Sequence, residues 1–286
     1  MKTSSFGVAI AAALVSSSAF AATVTTDNVA ANLAAATLGA SSGITIQSGS
    51  ETLGGVATQQ GTYAGFDQNG LTMSDGVVLT TGSAAFGTDN TSSSISNTTG
   101  TAAYQPMVDL AAANSLSTVQ NDTNVLSFDF ILDNALANAV TGQFLFATDE
   151  FPDQSVTDIM AIFVNGVNYA FFPNGDLVSN QSGNPNDFFN DNTANAFSIE
   201  WDGLTDVFTF TALANGGNAI NNITFAVADT SDSGYDSALF ITGLQSTTTS
   251  GSGGIGETST VPLPAAGWLL LAGLGGIAGL RRRRRA

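Results

Sequence analysis

The sequence predicts an all-β fold, a jelly-roll-like β-sandwich with one or two short helices, flanked by an N-terminal signal and a C-terminal hydrophobic helix. Short segments in the middle of the chain alternate apolar and polar residues, and turns rich in Gly, Asn and Asp separate them. Both ends have the composition of targeting segments. About ten short strands of this kind are typical of a sandwich rather than of a repeat fold.

We divide the 286 residues into four segments. They are a signal peptide (1–21), a β-sandwich domain (22–244), a flexible Ser/Thr/Gly linker (245–260) and a sorting or transmembrane segment (261–286). The central segment, roughly 220 residues long, is large enough to bury one sizeable core.

The N-terminal segment has the three parts of a secretory signal. Lys2 supplies the charged region, residues 6–15 are apolar, and Ala19-Phe20-Ala21 is a small-x-small cleavage sequence. A buried Ala-rich helix at the start of a domain is the alternative.

Two short helices are expected within the domain, at 28–38 with Asp27 as N-cap and at 104–113. The clearest strand is 125–132, in which Leu126, Phe128 and Phe130 share one face.

The dipeptide Asn165-Gly166 between apolar runs 159–164 and 167–171 predicts a hairpin with a type I′ turn. Residues 89–101 form a polar loop that we expect to be mobile. Further strands are predicted at 43–47, 77–81, around Phe144 and Phe146, and at 197–201, 207–211, 223–228 and 238–242.

The placement of charge excludes several functions. Lys2 is the only basic residue before Arg281, the chain has no His and no Cys, and its formal net charge is −17. Binding of nucleic acid is excluded because it needs Lys and Arg. A Ser-His pair, a Cys/His zinc cage, a P-loop and a disulfide are excluded by the same composition.

The remaining ligands are carboxylate, hydroxyl and amide oxygens, a set that suits calcium. The first candidate metal cluster follows a strand and comprises Asp149, Glu150, Asp153 and Asp158. The second also follows a strand and comprises Asp229, Asp232 and Asp236. Acidic turns that face solvent are the alternative for both clusters.

Paired carboxylates also permit glycoside hydrolysis. Glu150 or Glu200 could act with an Asp, and Trp201 could stack on a sugar. Alternation instead predicts a buried Trp201 and a solvent-facing Glu200, so we expect no enzyme.

The C-terminal segment joins a proline motif, an apolar run over 266–280 and a basic end. As a helix, 261–280 would span about 30 Å, and the basic end would stay on the cytoplasmic side.

This segment closely resembles the VPLPA-CTERM sorting signal, a variant of the PEP-CTERM class. The motif residues are Val261, Pro262, Leu263, Pro264 and Ala265, and the membrane stop is Arg281, Arg282, Arg283, Arg284 and Arg285. The resemblance implies secretion machinery, an exosortase-like membrane protease and cleavage near the proline motif; a simple membrane anchor is the alternative.

A series of motifs follows one another in a fixed order through the middle of the chain: Gly43-Ile44-Thr45-Ile46, Gly61-Thr62-Tyr63-Ala64-Gly65-Phe66, Asp75-Gly76-Val77-Val78-Leu79-Thr80-Thr81-Gly82, Phe144-Leu145-Phe146-Ala147-Thr148-Asp149-Glu150-Phe151-Pro152, Ile162-Phe163-Val164-Asn165-Gly166, Ala226-Val227-Ala228-Asp229 and Tyr235-Asp236-Ser237-Ala238. With these motifs the chain resembles the choice-of-anchor L domain over most of residues 27–244. The resemblance implies a surface location and supplies no activity.

The sequence therefore predicts a non-catalytic protein, exported across the inner membrane to the cell surface or the extracellular matrix. Adhesion, association with matrix or extracellular polysaccharide, and calcium binding are the expected roles. The membrane is a partner through the C-terminal segment, at least transiently. A secreted carboxylate-dependent, glycan-active enzyme and a ligand-free structural coat component are the two alternatives.

Overall fold

The computed structural model describes residues 22–92, 94–152, 156–180 and 188–256. The predicted signal peptide, the proline motif, the C-terminal apolar run, the terminal arginines and Asp153 lie outside the described residues.

Both expected helices are present. Helix α1 spans Ala30–Ala36 and helix α2 spans Gln105–Ala113. Asp27 is not the N-cap of α1, since Val29 occupies that position; the Asp27 carboxylate instead accepts the N–H of Val29 at 2.8 Å. Neither helix in the described part of the chain has the length and apolar character needed to cross a membrane.

The strands carry most of the ordered structure. In chain order they are β1 Thr23–Thr26, β2 Ile44–Ile46, β3 Thr52–Leu53, β4 Gln60–Ala64, β5 Phe66–Gln68, β6 Leu71–Met73, β7 Gly76–Thr80, β8 Gln120–Leu132, β9 Ala139–Thr148, β10 Ile159–Val164, β11 Val167–Asn168, β12 Phe189–Asp191, β13 Gly203–Thr205, β14 Phe208–Leu213, β15 Asn221–Thr230, β16 Ser237–Thr247 and β17 Gly254–Ile255.

These strands form two antiparallel sheets and one separate hairpin. The larger sheet has the order β1-β4-β7-β16-β9-β13-β12, with β14 also pairing β9 and β17 pairing β14. The smaller sheet has the order β11-β10-β15-β8-β2, with β3 also pairing β8. The two-sheet, all-β architecture predicted from alternation is confirmed.

The main core lies between the inward faces of the two sheets. Phe128 on β8 and Phe225 on β15 come from the smaller sheet, while Phe144 on β9 and Leu239 on β16 come from the larger one. The period of two along each strand places these side chains inside and the intervening positions outside. The alternation along each strand therefore decides which side chains lie between the sheets, including those at the strand ends.

The predicted hairpin is confirmed in its turn and shortened in its second strand. Asn165 and Gly166 both have positive φ, at 50° and 81°, as a type I′ turn requires. Strand β11 ends at Asn168, whereas the sequence predicted pairing to 171.

The prediction of a strand at 197–201 is wrong. The segment bends, and the buried side chain of Asn192 takes the place of a neighbouring strand. Its amide accepts the N–H of Phe197 at 2.7 Å and donates to the carbonyls of Ile199 and Trp201, both at 2.9 Å. These bonds satisfy backbone groups that a ladder would otherwise pair, so the apolar residues are buried without forming a strand.

Candidate functional site

Acidic side chains are buried together at one end of the sandwich. Eight of the described acids are at most 3% exposed: Asp122, Asp149, Glu150, Asp158, Glu200, Asp202, Asp229 and Asp236. We call this set the acidic layer. Between residue 3 and residue 280 the sequence contains no Lys, Arg or His. Amide N–H groups, protons or external cations must therefore balance the carboxylates, because an uncompensated buried charge is strongly destabilising.

Alternation within the smaller sheet explains part of this layer. Met160 on β10 and Val227 on β15 point into the main core. Asp158 precedes Met160 by two residues and Asp229 follows Val227 by two, so both carboxylates continue the inward face. Strand β8 carries an extra residue opposite β15 in this region, where Asp122 adopts a φ of 48°.

The larger sheet faces this pair with hydroxyl groups. Thr148 at the end of β9 and Ser237 at the start of β16 are cross-strand partners, and both are fully buried. Thr81 follows β7, with Val77 and Leu79 on the same inward face. The apolar space between the sheets is therefore closed at this end by oxygen-bearing side chains.

Five carboxylates of the acidic layer bind the 89–101 loop. Asp149 accepts the N–H of Ile95 at 2.8 Å, Asp236 accepts the N–H of Asn97 at 3.0 Å, and Asp122 accepts the N–H of Gly100.

The remaining two of these carboxylates hold the start of the loop. Glu200 accepts the N–H groups of Thr91 and Ser92 at 3.1 and 3.0 Å, while Asp202 accepts the side-chain amide of Asn90 at 2.7 Å. The loop, expected to be mobile, is instead bonded along its described length. The carboxylates gain amide donors that stabilise their charged forms.

Asp158 and Asp229 lie apart from these amide donors. The β10–β15 register pairs Ile159 with Ala228, and extending it by one residue places Asp158 opposite Asp229. Like charges at opposed positions destabilise a sheet. The Ser237 hydroxyl donates to Asp158 Oδ2 at 2.6 Å and lies 2.8 Å from the Thr148 hydroxyl.

Neither carboxylate oxygen of Asp229 has a hydrogen-bond partner, and the same is true of Asp158 Oδ1 and Asp122 Oδ2. The Thr81 hydroxyl lies near enough to Asp229 to favour its charged form but is outside hydrogen-bonding geometry. Asp229 is 0% exposed. A negative charge on Asp229 would therefore be neither solvated nor matched by an N–H or O–H donor of the described residues, apart from a proton shared with Asp158.

Burial raises the pKa values of several members of the layer. Loss of solvent raises the pKa of Asp149 to about 8, although backbone N–H bonds oppose the shift. Burial also raises the pKa values of Asp202 and Asp236. For Asp158 and Asp229 the pKa values lie well above the usual range, because burial is complete or nearly so and because each carboxylate is surrounded by further acids.

The structure brings one residue from each of the two predicted metal clusters together and places the other described residues of the clusters elsewhere. Asp158 from the first cluster and Asp229 from the second lie together, while Asp149 and Asp236 bind the 89–101 loop. Glu150 is buried nearby and its charge raises the pKa of Asp158, whereas Asp232 is exposed.

Within the residues that the structure describes, no group of three or more acidic side chains is placed so that it could hold a metal ion. Calcium binding stays a prediction.

A cavity of about 360 Å³ opens beside the acidic layer. Its apolar side is formed by Phe86 and Trp201, whose rings meet edge to face at 4.3 Å. Trp201 is buried, as predicted, whereas Glu200 is buried and not solvent-facing. Ser96 and Asn97 of the 89–101 loop form part of the exposed rim.

Residues 20–246 match the family model of the choice-of-anchor L domain. The chain belongs to the choice-of-anchor L domain family. Membership indicates an exported, surface-anchored protein, as the sequence predicted. No curated protein and no solved structure shows a significant match.

Two buried acids of this choice-of-anchor L domain were not predicted as site residues. Asp122 and Asp202 were in neither predicted cluster. Alternation along β8 does not single out Asp122, because the strand carries an extra residue at this point and Asp122 adopts a φ of 48°. No pattern singles out Asp202, because its burial depends on the bonds that Asn192 makes to the preceding segment.

We expect Asp122→Ala to release the C-terminal part of the 89–101 loop. The substitution removes the acceptor of the Thr99 N–H at 2.9 Å and of the Gly100 N–H. Loss of such bonds costs about 1–3 kcal/mol. Denaturant unfolding measures the loss of stability, and hydrogen exchange should accelerate in this loop. The exposed Asp133→Ala serves as control, and equal effects of both variants would refute the anchoring role.

We expect the metal-free domain to lose stability as the pH rises from about 5 to about 8. In the unfolded chain Asp149 loses its proton near the ordinary aspartate pKa of 3.8, whereas the folded protein keeps it to about 8. The folded state therefore binds more protons within this window, and stability falls as they are released.

Thermal unfolding in the presence of a chelator tests this dependence. Asp149→Asn should make the fall in stability less steep, since the amide cannot ionise and keeps one acceptor oxygen, while the exposed Asp133→Asn should leave the fall unchanged; the other buried acids with raised pKa values keep the rest of it. A midpoint that rises between these pH values in the unmodified protein would contradict the expectation.

Proposed function

We propose that this choice-of-anchor L domain is the non-catalytic binding module of a cell-surface or extracellular-matrix protein. The ligand is an extracellular polysaccharide, and it occupies the cavity between Trp201 and the 89–101 loop. The observation that carries the proposal is the composition of this cavity, which combines an aromatic side with a hydroxyl and amide rim.

The cavity has the dimensions and the chemistry to hold one or two sugar rings. Its volume of about 360 Å³ lies near the lower end of the range of ligand sites. Phe86 is half-buried and so presents part of its ring to the cavity. A sugar has apolar C–H faces that pack on aromatic rings, while its hydroxyl groups need partners such as Ser96 and Asn97.

Two carboxylates also border the cavity, but both hold the loop. Glu200 accepts hydrogen bonds from Thr91 and Ser92, and Asp236 accepts two from Asn97. A general acid or nucleophile must reach the reacting atoms with a suitable oxygen. Loop attachment therefore accounts for these acids better than hydrolysis does, and binding is the function that the geometry favours.

The proposal includes a route to the surface. The signal at 1–21 directs export, and an exosortase-like membrane protease processes the tail at the motif Val261-Pro262-Leu263-Pro264-Ala265. Support comes from the order of proline motif, apolar run and terminal arginines in the sequence and from the family, whose members carry varied surface anchors.

We expect Phe86→Ala to weaken polysaccharide binding about five- to tenfold, because it removes an aromatic face worth about one kcal/mol. Affinity electrophoresis of the purified protein in gels containing extracellular polysaccharides measures the effect. Val167→Ala, on the hairpin of the smaller sheet, is the control for loss of an exposed apolar side chain.

Each other outcome of this assay points to an alternative. If no polysaccharide retards the unmodified protein, the domain is a ligand-free coat component. If reducing ends are released and Glu200→Gln abolishes their release, the protein is a glycan-active enzyme.

We expect the mature protein to begin at Ala22 and to end near Ala265, without the five arginines. Mass spectrometry of the protein isolated from its own cells checks both ends. A double variant, Pro262→Ala with Pro264→Ala, should accumulate with its tail uncleaved, whereas Ser259→Ala in the linker should be processed normally. Retention of the arginines in the unmodified surface protein would leave a simple membrane anchor instead.

A further inference from the structure

We infer that Asp158 and Asp229 are the protein ligands of one calcium ion bound between the two sheets. This ion would lie behind the 89–101 loop and would be independent of any polysaccharide in the cavity.

The first observation is the opposition of two carboxylates inside the sandwich. The register of β10 and β15 places Asp158 across from Asp229 on the inward face. Directly opposed side chains in a sheet have Cβ atoms about 5 Å apart, so the two carboxylates can reach a common ion.

The second observation is that no N–H or O–H group of the described residues donates to Asp229 in hydrogen-bonding geometry, so that its side-chain contact with Asp158 is a hydrogen bond only when one of the two carboxyl groups is protonated. The Asp229 side chain is fully buried, it points into the sandwich, and neither of its oxygens accepts a hydrogen bond from such a donor. Asp158 Oδ1 is in the same condition. Native proteins rarely leave such atoms unsatisfied, and a bound ion is one ordinary explanation.

The donor set around this pair consists of oxygen atoms. The hydroxyl of Ser237 bonds Asp158 from the larger sheet, and the hydroxyl of Thr148 lies beside it. Calcium takes six to eight oxygen ligands and tolerates irregular geometry. Two carboxylates completed by hydroxyls and water meet this requirement without the complete acidic cage that the described residues do not form.

The charge of the region favours a divalent cation over a single shared proton. Asp122, Glu150 and Asp236 are buried close enough to act on one or other of the two ligands. One proton shared between Asp158 and Asp229 would still leave a negative charge on this buried pair, and the domain has no basic side chain to offer. A divalent ion supplies twice the compensation at the same position.

Calorimetric titration of the chelator-treated full-length protein with calcium chloride tests the inference. We expect one site with a Kd of about 10⁻⁴–10⁻³ M, the range of extracellular calcium modules. At ten times this concentration the unfolding midpoint should rise by about 3–6 °C. Sodium chloride at equal ionic strength should not reproduce the rise.

Asp158→Asn and Asp229→Asn should each weaken binding more than about tenfold, while the exposed Asp109→Asn should bind as the unmodified protein does. Circular dichroism establishes that each variant is folded. If either Asn variant does not fold, Ser237→Ala, which alters a neutral oxygen beside the site, should still weaken binding measurably.

Two results would overturn the inference. The first is the lack of any calcium binding up to about ten times the expected Kd range by the unmodified protein, together with a more stable Asp229→Asn variant, which would establish a shared proton. The second is unchanged binding in both Asn variants, which would place the ion elsewhere. Polysaccharide binding through the Phe86 cavity would remain to be judged by its own assay in either case.

Discussion

The constraint that governs this molecule is the burial of eight carboxylates in a domain without basic side chains. In most proteins Arg or Lys would balance such groups, but here only amide N–H groups, protons and external cations are available. Amide N–H groups balance the carboxylates that lie within reach of the 89–101 loop. At Asp158 and Asp229, which lie between the sheets, no amide donor is present, and protons and external cations remain.

This constraint connects the fold to the proposed binding site. The 89–101 loop forms part of the cavity rim because Asp149, Asp236 and Glu200 hold its backbone at the end of the sandwich. The same acids that by residue type alone would suit catalysis are thus committed to shaping the cavity. The chemistry offered to a ligand comes from the aromatic rings and from the neutral side chains of the loop.

The sequence was sufficient for the features that depend on local pattern. Alternation predicted β8 with its correct inward face and the positions of β9 and β15, and Asn165-Gly166 predicted the turn of the hairpin. It was insufficient where a residue far along the chain decides the outcome. Glu200 is buried because the Asn192 side chain bends its segment, and Asp158 meets Asp229 only through a strand pairing between segments distant in the sequence. The short strands β1 and β4 carried too little alternation to be recognised.

The position of β16 in the larger sheet determines how the domain would bear tension. This strand lies between β7 and β9, and within the described residues only the two-residue strand β17 follows it, on the side at which the proposed surface anchor would pull. Its antiparallel ladder with β9 extends from Ser237 to Thr247 and resists displacement along the strand with many bonds at once. A force that must shear such a ladder meets more resistance than one that opens it bond by bond.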